Sequence, residues 1–454
     1  MEFAQTTGFS GIISWSPFSL AALLLGIVAI LASPKKWVLA TFLAFSVLMA
    51  MSLHIVVFGL NLMPHRVLLL FAWLRFFLRG EYRGLQLSSL DKGMILLSSC
   101  LVFTETLQAG TAGFVFAVAN NGLDGLGTYF LCRILIRERQ DLLRAVAGLA
   151  GVCVAVAGFM CVEFLTRRNL LGALGAVQEF VQVRKGLSRC AASFGIPITA
   201  GTFGAVLLPL FLACWWQDGR MKKWAIPGCI ASTLITLTAG SAGPLSTYIL
   251  AGLAFLMWPL RGRLRTIRWA AVFCLVVLHL VMKAPVWALI ARVQIVPGAS
   301  AYHRFNVIDT FVNHIGEWWM YGVPSTEKWG WMMDDVANQY CVVAKHGGLL
   351  ALFLFIRILT LGFREVGLTL KETGQDRATE RLVWGLGVML FAHATVFFSI
   401  SYYDQIKVVW YLSLGMVASA RLLIQPSKVA TELVPEEESG VPDAFGLNPG
   451  ISQG

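Results

Sequence analysis

The sequence predicts an all-α fold, a polytopic transmembrane bundle of about 12 to 13 helices. Three observations carry this. Of the 454 residues, 57% are hydrophobic and only 13% charged, against roughly 25% charged in soluble domains. The apolar residues fall into runs near the length of about 20 that a helix needs to cross a bilayer. The short connections between runs alternate between basic and uncharged, the pattern left when basic loops stay cytoplasmic. A soluble globule could not cover so much apolar surface, so the solvent is lipid.

In order, candidate spans lie near 17–33, 38–58, 62–78, 93–110, 114–132, 142–165, 198–215, 224–240, 244–260, 269–284, 339–361, 382–400 and 405–422. Gly- and Asn-rich patches interrupt the stretch 93–132. The basic connections hold Lys35 and Lys36, Arg79 and Arg83, Arg133, Arg137 and Arg139, Arg220, Lys222 and Lys223, Arg261 to Arg268, and Arg364 to Arg381. The intervening loops 240–243 and 401–404 carry almost no positive charge, which puts the N-terminus outside and the C-terminus inside. The opening MEFAQTTGFSGIISWS has neither the basic n-region nor the cleavage site of a secretory signal, so the first helix is expected to be retained. Two outward loops are long, 166–197 and 285–338. Residues 1–424 then make one membrane domain. The acidic, Pro/Gly-rich stretch 425–454 reads as a disordered cytoplasmic tail.

The net charge of +11 would suggest nucleic acid in a soluble protein. Here the basic side chains sit in loops that meet anionic headgroups, so membrane lipids are expected partners and nucleic acid is not. The nine Cys lie in apolar stretches without CxxC or zinc spacing and read as packing residues. No carboxylate pair at metal-ligand spacing stands out in the outward loops except the adjacent Asp334 and Asp335, so neither metal nor cofactor is expected.

The outward loop 166–197 runs against the orientation bias. It holds Arg167, Arg168, Arg184, Lys185 and Arg189 with one acid, Glu179. These arginines either snorkel to phosphate headgroups or bind an anion. The second loop contains SAYHRFNVIDTF from Ser300 to Phe311, where Phe305, Ile308 and Val312 recur at helical spacing. That spacing predicts an amphipathic helix on the bilayer surface with Arg304 at its polar edge. Asp334 and Asp335 precede the span at 339 and could cap it. His65 and Arg66 stand at the outer end of their span, where they could extend a basic pocket. Glu105 and His393 fall inside spans, either as functional groups or as interhelical hydrogen-bond partners. The Trp318–Trp331 aromatics read as interfacial anchors, with sugar stacking as the alternative.

The order of these pieces resembles the O-antigen ligase and O-antigen polymerase superfamily of bacterial membrane glycosyltransferases. In that family an Arg precedes a small-residue, Phe-rich span, as Arg189 does here. A span then ends in a Ser/Gly turn, comparable to LTAGSAGPLSTYILAG from Leu237 to Gly252. A long periplasmic loop follows, with an early Arg, a central Gly turn and a His-Asn-x-Tyr-like entry to the next helix. Arg304, Tyr321–Gly322 and Asn338-Gln339-Tyr340 occupy those places, over roughly residues 180–360. Where the family carries a His before the Asn, this chain has Ala337. His346 lies roughly two turns deeper.

The resemblance implies polymerisation or ligation of polyprenyl-diphosphate-linked glycan at the periplasmic face of a bacterial inner membrane, with a glycan or lipid as acceptor. It implies Arg304, Arg189 and Asp335 as catalytic residues, and Arg66, His303, Asn338, Tyr340 and Arg184 as substrate-binding ones. Physically, arginines are suited to a leaving diphosphate because the guanidinium fork grips phosphate oxygens in pairs and stays charged. A carboxylate at Asp335 would orient or deprotonate the acceptor hydroxyl. The rival reading is a transporter or flippase for lipid-linked glycan, which should show broken helices and internal repeats.

Overall fold

The computed structural model describes residues 16–50, 53, 55–57, 60–175, 177–184, 186–292, 301–374 and 376–424. The expectations for the N-terminus, Lys185, Ser300 and the tail 425–454 lie outside the described residues. The fold is all-α, 78% helix and 2% strand. Among the described residues, five helical runs are long and apolar enough to cross a membrane, Ser89–Leu135, Arg139–Thr166, Pro197–Trp216, Trp258–Val281 and Gln339–Glu372. Two shorter apolar helices, Pro17–Ala32 and Ala242–Leu256, accompany them. The chain is therefore a membrane protein by the length and composition of its helices.

The chain begins with α1 (Pro17–Ala32), started by Ser16 capping Ser19 N–H at 3.1 Å, and α2 (Lys35–Leu48). The expected span 38–58 is interrupted, because α2 ends at Leu48 and Ile55–Val57 (β1) pairs antiparallel with Leu60–Leu62 (β2). Three consecutive β-branched residues favour the extended form there. Next come α3 (Pro64–Arg79), α4 (Ser89–Ala117), a π-helix (Val118–Gly127), α5 (Thr128–Leu135) and α6 (Arg139–Thr166). A hairpin of β3 (Gln182–Arg184) and β4 (Leu187–Arg189) leads to α7 (Pro197–Ala213), α8 (Gly219–Thr238), α9 (Ala242–Leu256) and α10 (Leu264–Val281). Short helices α11 (Leu289–Arg292), α12 (Ala301–Asn313) and α13 (Ile315–Trp318) precede α14 (Gln339–Glu372), α15 (Arg377–Val396) and α16 (Asp404–Ala418).

Helix α7 is the centre. It packs on α8, α9 and α15, and nearly all its side chains are buried. Its sequence GTFGAVLL permits this, because small residues let backbones approach. A Cβ on Gly204 would sit 2.8 Å from the Ser232 carbonyl oxygen. At the other extreme, no residue of α10 is buried.

The run Ser89–Leu135 is one stretch of helix in name only. Its backbone leaves helical geometry at Ala109 (φ −135°, ψ 16°) and Gly110 (φ 60°, ψ −137°). The chain then returns on itself. Arg133 Nε donates to Asp91 Oδ1 at 3.0 Å, and the Tyr129 hydroxyl meets the same oxygen at 2.5 Å. Two antiparallel arms result, as the separate spans 93–110 and 114–132 anticipate.

Helix α14 is also broken, at Gly348 (φ 66°, ψ −163°). The turn after α13 fits into the break: Val323 N–H donates to the Lys345 carbonyl at 2.8 Å, and Leu349 N–H donates to that of Trp319 at 2.8 Å. A Cβ on Gly348 would stand 2.7 Å from the Met320 backbone. Its backbone region is one that essentially only glycine enters, at a cost of about 1–3 kcal/mol for other residues. Gly348→Ala should therefore destabilise the protein by at least that amount in a detergent unfolding titration. Gly367→Ala, on the same helix with open space around the new methyl group, should be neutral or mildly stabilising. Equal midpoints for the two variants would refute the assignment of the break to Gly348.

Candidate functional site

The segments around 166–197, 240–243, 301–338 and 397–404 meet at one end of the helices, where the chemistry collects. Arg189 closes the β3–β4 hairpin. Its Nη2 donates to Ser241 Oγ at 2.6 Å, and its stem lies against Gly240, where a Cβ would approach Arg189 Cγ to 3.2 Å. Arg304, on α12, reaches the other end of the same four-residue turn, with Nη2 3.5 Å from where a Cβ on Gly243 would stand. Gly240 needs its left-handed backbone (φ 54°) to make the turn. The Ser/Gly turn thus seats two guanidinium groups from sequence-distant segments.

The exposed Arg184 completes the group. Burial and then the Arg184 charge lower the pKa of Arg189, and the same two causes in the same order lower that of Arg304. Three like charges repel, and Arg189 and Arg304 are only partly solvated. In both Arg189 and Arg304, Nε is buried with no hydrogen-bond partner among the described residues. An anion would relieve the repulsion and supply acceptors.

The hairpin end that carries Arg189 is held from behind. Glu163 of α6 accepts Ala191 N–H at 3.1 Å and Ala192 N–H at 2.8 Å, while Asn169 donates to the Ala192 carbonyl at 2.7 Å. Gln405 donates to the Ser193 carbonyl at 2.7 Å. These bonds fix Ala192 in a left-handed conformation (φ 49°) that a non-glycine residue adopts only under constraint. Sequence reading missed Glu163, Asn169 and Gln405, while Ser241 lies in the Ser/Gly turn it did pick out. The only signal was a buried carboxylate late in a span, at Glu163. Beside Arg189 an open cavity of about 370 Å³ is lined by Phe164, Arg167, Leu187, Leu237, Ser241 and Leu245.

Helix α12 packs on the protein through residues that its apolar spacing did not pick out, with Ile308 of the expected side beside them. Val312 is 44% exposed, whereas Ala301, His303, Val307 and Phe311 are buried. Val307 and Phe311 pack with Trp318, Met333, Val336, Cys341 and Ala344 in a small core of the protein itself. Arg304 shares the face of Ala301 and Phe311, so it is half-buried and not at a polar edge. His303 Nε2 lies 3.0 Å from the Asp335 carbonyl oxygen and 4.0 Å from its carboxylate. The Asp335 side chain is 64% exposed. Neither it nor Asp334 caps α14; Asn338 does, with Oδ1 accepting Tyr340 N–H at 3.0 Å and Cys341 N–H at 3.2 Å.

Several expected binding residues are engaged elsewhere. Asn338 is buried and committed to that cap. The Tyr340 hydroxyl donates to the Ala394 carbonyl at 2.9 Å, and its ring packs among Phe355, Phe397 and Phe398. Arg66 does not extend the basic group. It is buried and grips Asp124 with Nε at 2.8 Å and Nη2 at 2.7 Å, and His65 Nε2 lies 3.0 Å from the same carboxylate. Tyr321–Gly322 is part of the wedge in α14. His393 bonds Tyr402 (2.7 Å) and Ser413 (3.1 Å), as interhelical hydrogen bonding would have it. Glu105 bonds Asn121 at 3.2 Å and lies 3.4 Å from His346 Nδ1, beside the breaks in α4 and α14.

No protein-family model matches the chain, and no curated protein matches it either.

Proposed function

We propose that this protein is a polytopic glycosyltransferase of a bacterial inner membrane. It polymerises or ligates polyprenyl-diphosphate-linked glycan at the periplasmic face, in the manner of the O-antigen polymerases and ligases it resembles. The observation that carries this reading is the seating of Arg189 and Arg304 on one Ser/Gly turn with Arg184 beside them, each of the first two holding a buried, unpartnered Nε. Such a group suits a diphosphate, which offers two adjoining anionic centres and many acceptor oxygens. The cavity beside Arg189, with Phe164, Leu237 and Leu245 in its wall, suits the first isoprene units of the same lipid. In this reading the arginines neutralise the charge that develops as the sugar–phosphate bond breaks. Asp335 then orients or deprotonates the acceptor hydroxyl. The loops 166–197 and 285–338 must face the periplasm.

The test is transfer by purified protein in lipid vesicles, using lipid-linked glycan as sole substrate and following release of polyprenyl diphosphate. Activity should survive EDTA, because guanidinium groups supply the charge that a metal would otherwise bring. Loss on chelation, restored by magnesium or manganese, would overturn the arginine mechanism. A second reading, transport of lipid-linked glycan, draws on the paired breaks in α4 and α14 around Glu105 and His346, since interrupted helices often surround transported ions. It predicts movement of intact donor across the vesicle with no free diphosphate.

A further inference from the structure

The aromatic residues of 318–331 do not share one environment. Trp318 is buried, and Trp329 stacks on His314 with ring centroids 4.9 Å apart. Trp331 is different: it is 63% exposed, the most exposed of the four indoles in that stretch. It stands on a rigid rim. Met333 and Val336 are pinned in the small core under α12, while Trp331, Met332, Asp334 and Asp335 face outward. Thr326 Oγ1 donates to the Met333 carbonyl and Asn306 Nδ2 to that of Trp331. Met332 is held in a left-handed conformation (φ 55°). An unbranched but bulky residue enters that region only when its surroundings impose it, and such strain gathers at binding sites.

Beneath the rim lies a second sign of a ligand. The His303 ring meets the Trp331 ring edge-on, with centroids 6.3 Å apart. His303 is buried, its Nε2 is engaged by Asp335, and its Nδ1 has no partner among the described residues. An exposed flat ring beside two solvent-facing carboxylates and a buried nitrogen in want of a partner has the chemistry of a sugar site. The ring covers the C–H face of a pyranose, and the carboxylates accept its hydroxyl protons. Simple anchoring in headgroups would call for neither the carboxylates nor the strained turn. His303 directly precedes Arg304, so the platform and the arginine group both draw on the short helix α12.

We infer that Trp331, Asp334 and Asp335, backed by His303, form a saccharide-binding platform that holds a glycan ring next to the arginine group. As a glycan subsite of that transferase, the platform rests on the reading above, but its test does not need transfer. The probe is the lipid-free oligosaccharide freed by mild acid from the lipid-linked glycan of the strain that makes this protein. Calorimetry would measure its binding to the full-length protein in nanodiscs. Wild type should bind, and Trp331→Ala should bind at least about tenfold more weakly, or 1.4 kcal/mol. Trp331→Phe should keep most of the affinity because it keeps a ring. Asp334→Asn and Asp335→Asn should each weaken it. Equal binding by wild type and Trp331→Ala, or no binding by wild type, overturns the platform. Trp331→Ala reducing membrane insertion while oligosaccharide binding stays intact also overturns it, in favour of an anchor. Oligosaccharide binding without any transfer supports the platform and ends the transferase reading alone.

Discussion

Arg304→Lys is expected to reduce glycan transfer by about a hundredfold to a thousandfold, nearly as far as Arg304→Ala, with the protein still present at its normal level. The magnitude is that of removing one donor from a pre-organised anion site, about 2.7–4 kcal/mol in the transition state. The reason lies in how Arg304 is seated. It rises from the half-buried face of α12, its Nη2 lies against the Gly243 turn, and its Nε is buried without a partner. A lysine keeps the charge but has a single ammonium in place of the planar fork, so it lacks the parallel pair of N–H donors that grips two phosphate oxygens and has no donor at the Nε position. A snorkelling arginine would lose nothing, because either side chain reaches the headgroups. Wild-type rates from Arg304→Lys in the vesicle assay would mean that the side chain only anchors the helix. Arg189→Lys should behave alike, since its Nη2 is already fixed by Ser241.

Much of the fold was legible because apolar runs of membrane length admit few alternatives. Helices lie where the spans near 142–165, 198–215 and 339–361 were expected. The end of α2 was missed because composition averages over a window, whereas the β-branched run Ile55–Val57 acts locally. In the site, Arg189 and Arg304 could be named from their place in the loops. Their meeting on Gly240–Gly243 could not, since no pattern of spacing reports a contact across 115 residues of chain (304 − 189). Helical spacing picked out Phe305, Ile308 and Val312 but passed over Ala301, Val307 and Phe311, which are as apolar and are the buried ones, while Ile308 packs against the same core. Only the small core beneath decides which set is covered. Asn338 and Tyr340 looked like ligand contacts for a related reason. A cap and a buried hydroxyl use the polar atoms a ligand would use, and sequence cannot tell which partner takes them.

The largest effect on stability is expected from Asp124→Asn, a loss of about 3–5 kcal/mol that needs no view of function. Asp124 lies on the π-helical segment and receives Arg66 through two hydrogen bonds, with His65 at 3.0 Å on one of the same oxygens. Side-chain exposure is 5% for Arg66 and 6% for Asp124, so water cannot replace a lost partner. Asn120, one turn earlier, accepts from Arg66 at 3.2 Å and from Lys407 of α16 at 3.4 Å, tying a third helix to the same charges. The amide introduced by this substitution would present a donor where a guanidinium needs an acceptor, and Arg66 would be left as a buried cation short of its anion. Because the ion pair itself stabilises little over apolar packing, removing both charges should do less harm than removing one. Asp124→Leu combined with Arg66→Met should therefore be markedly more stable than Asp124→Asn alone, a non-additivity expected of contacting groups. Unfolding in mixed detergent, followed by loss of helical circular dichroism, gives both values. If Asp124→Asn unfolds at the wild-type midpoint, the pair is not what joins α3 to the π-helical segment.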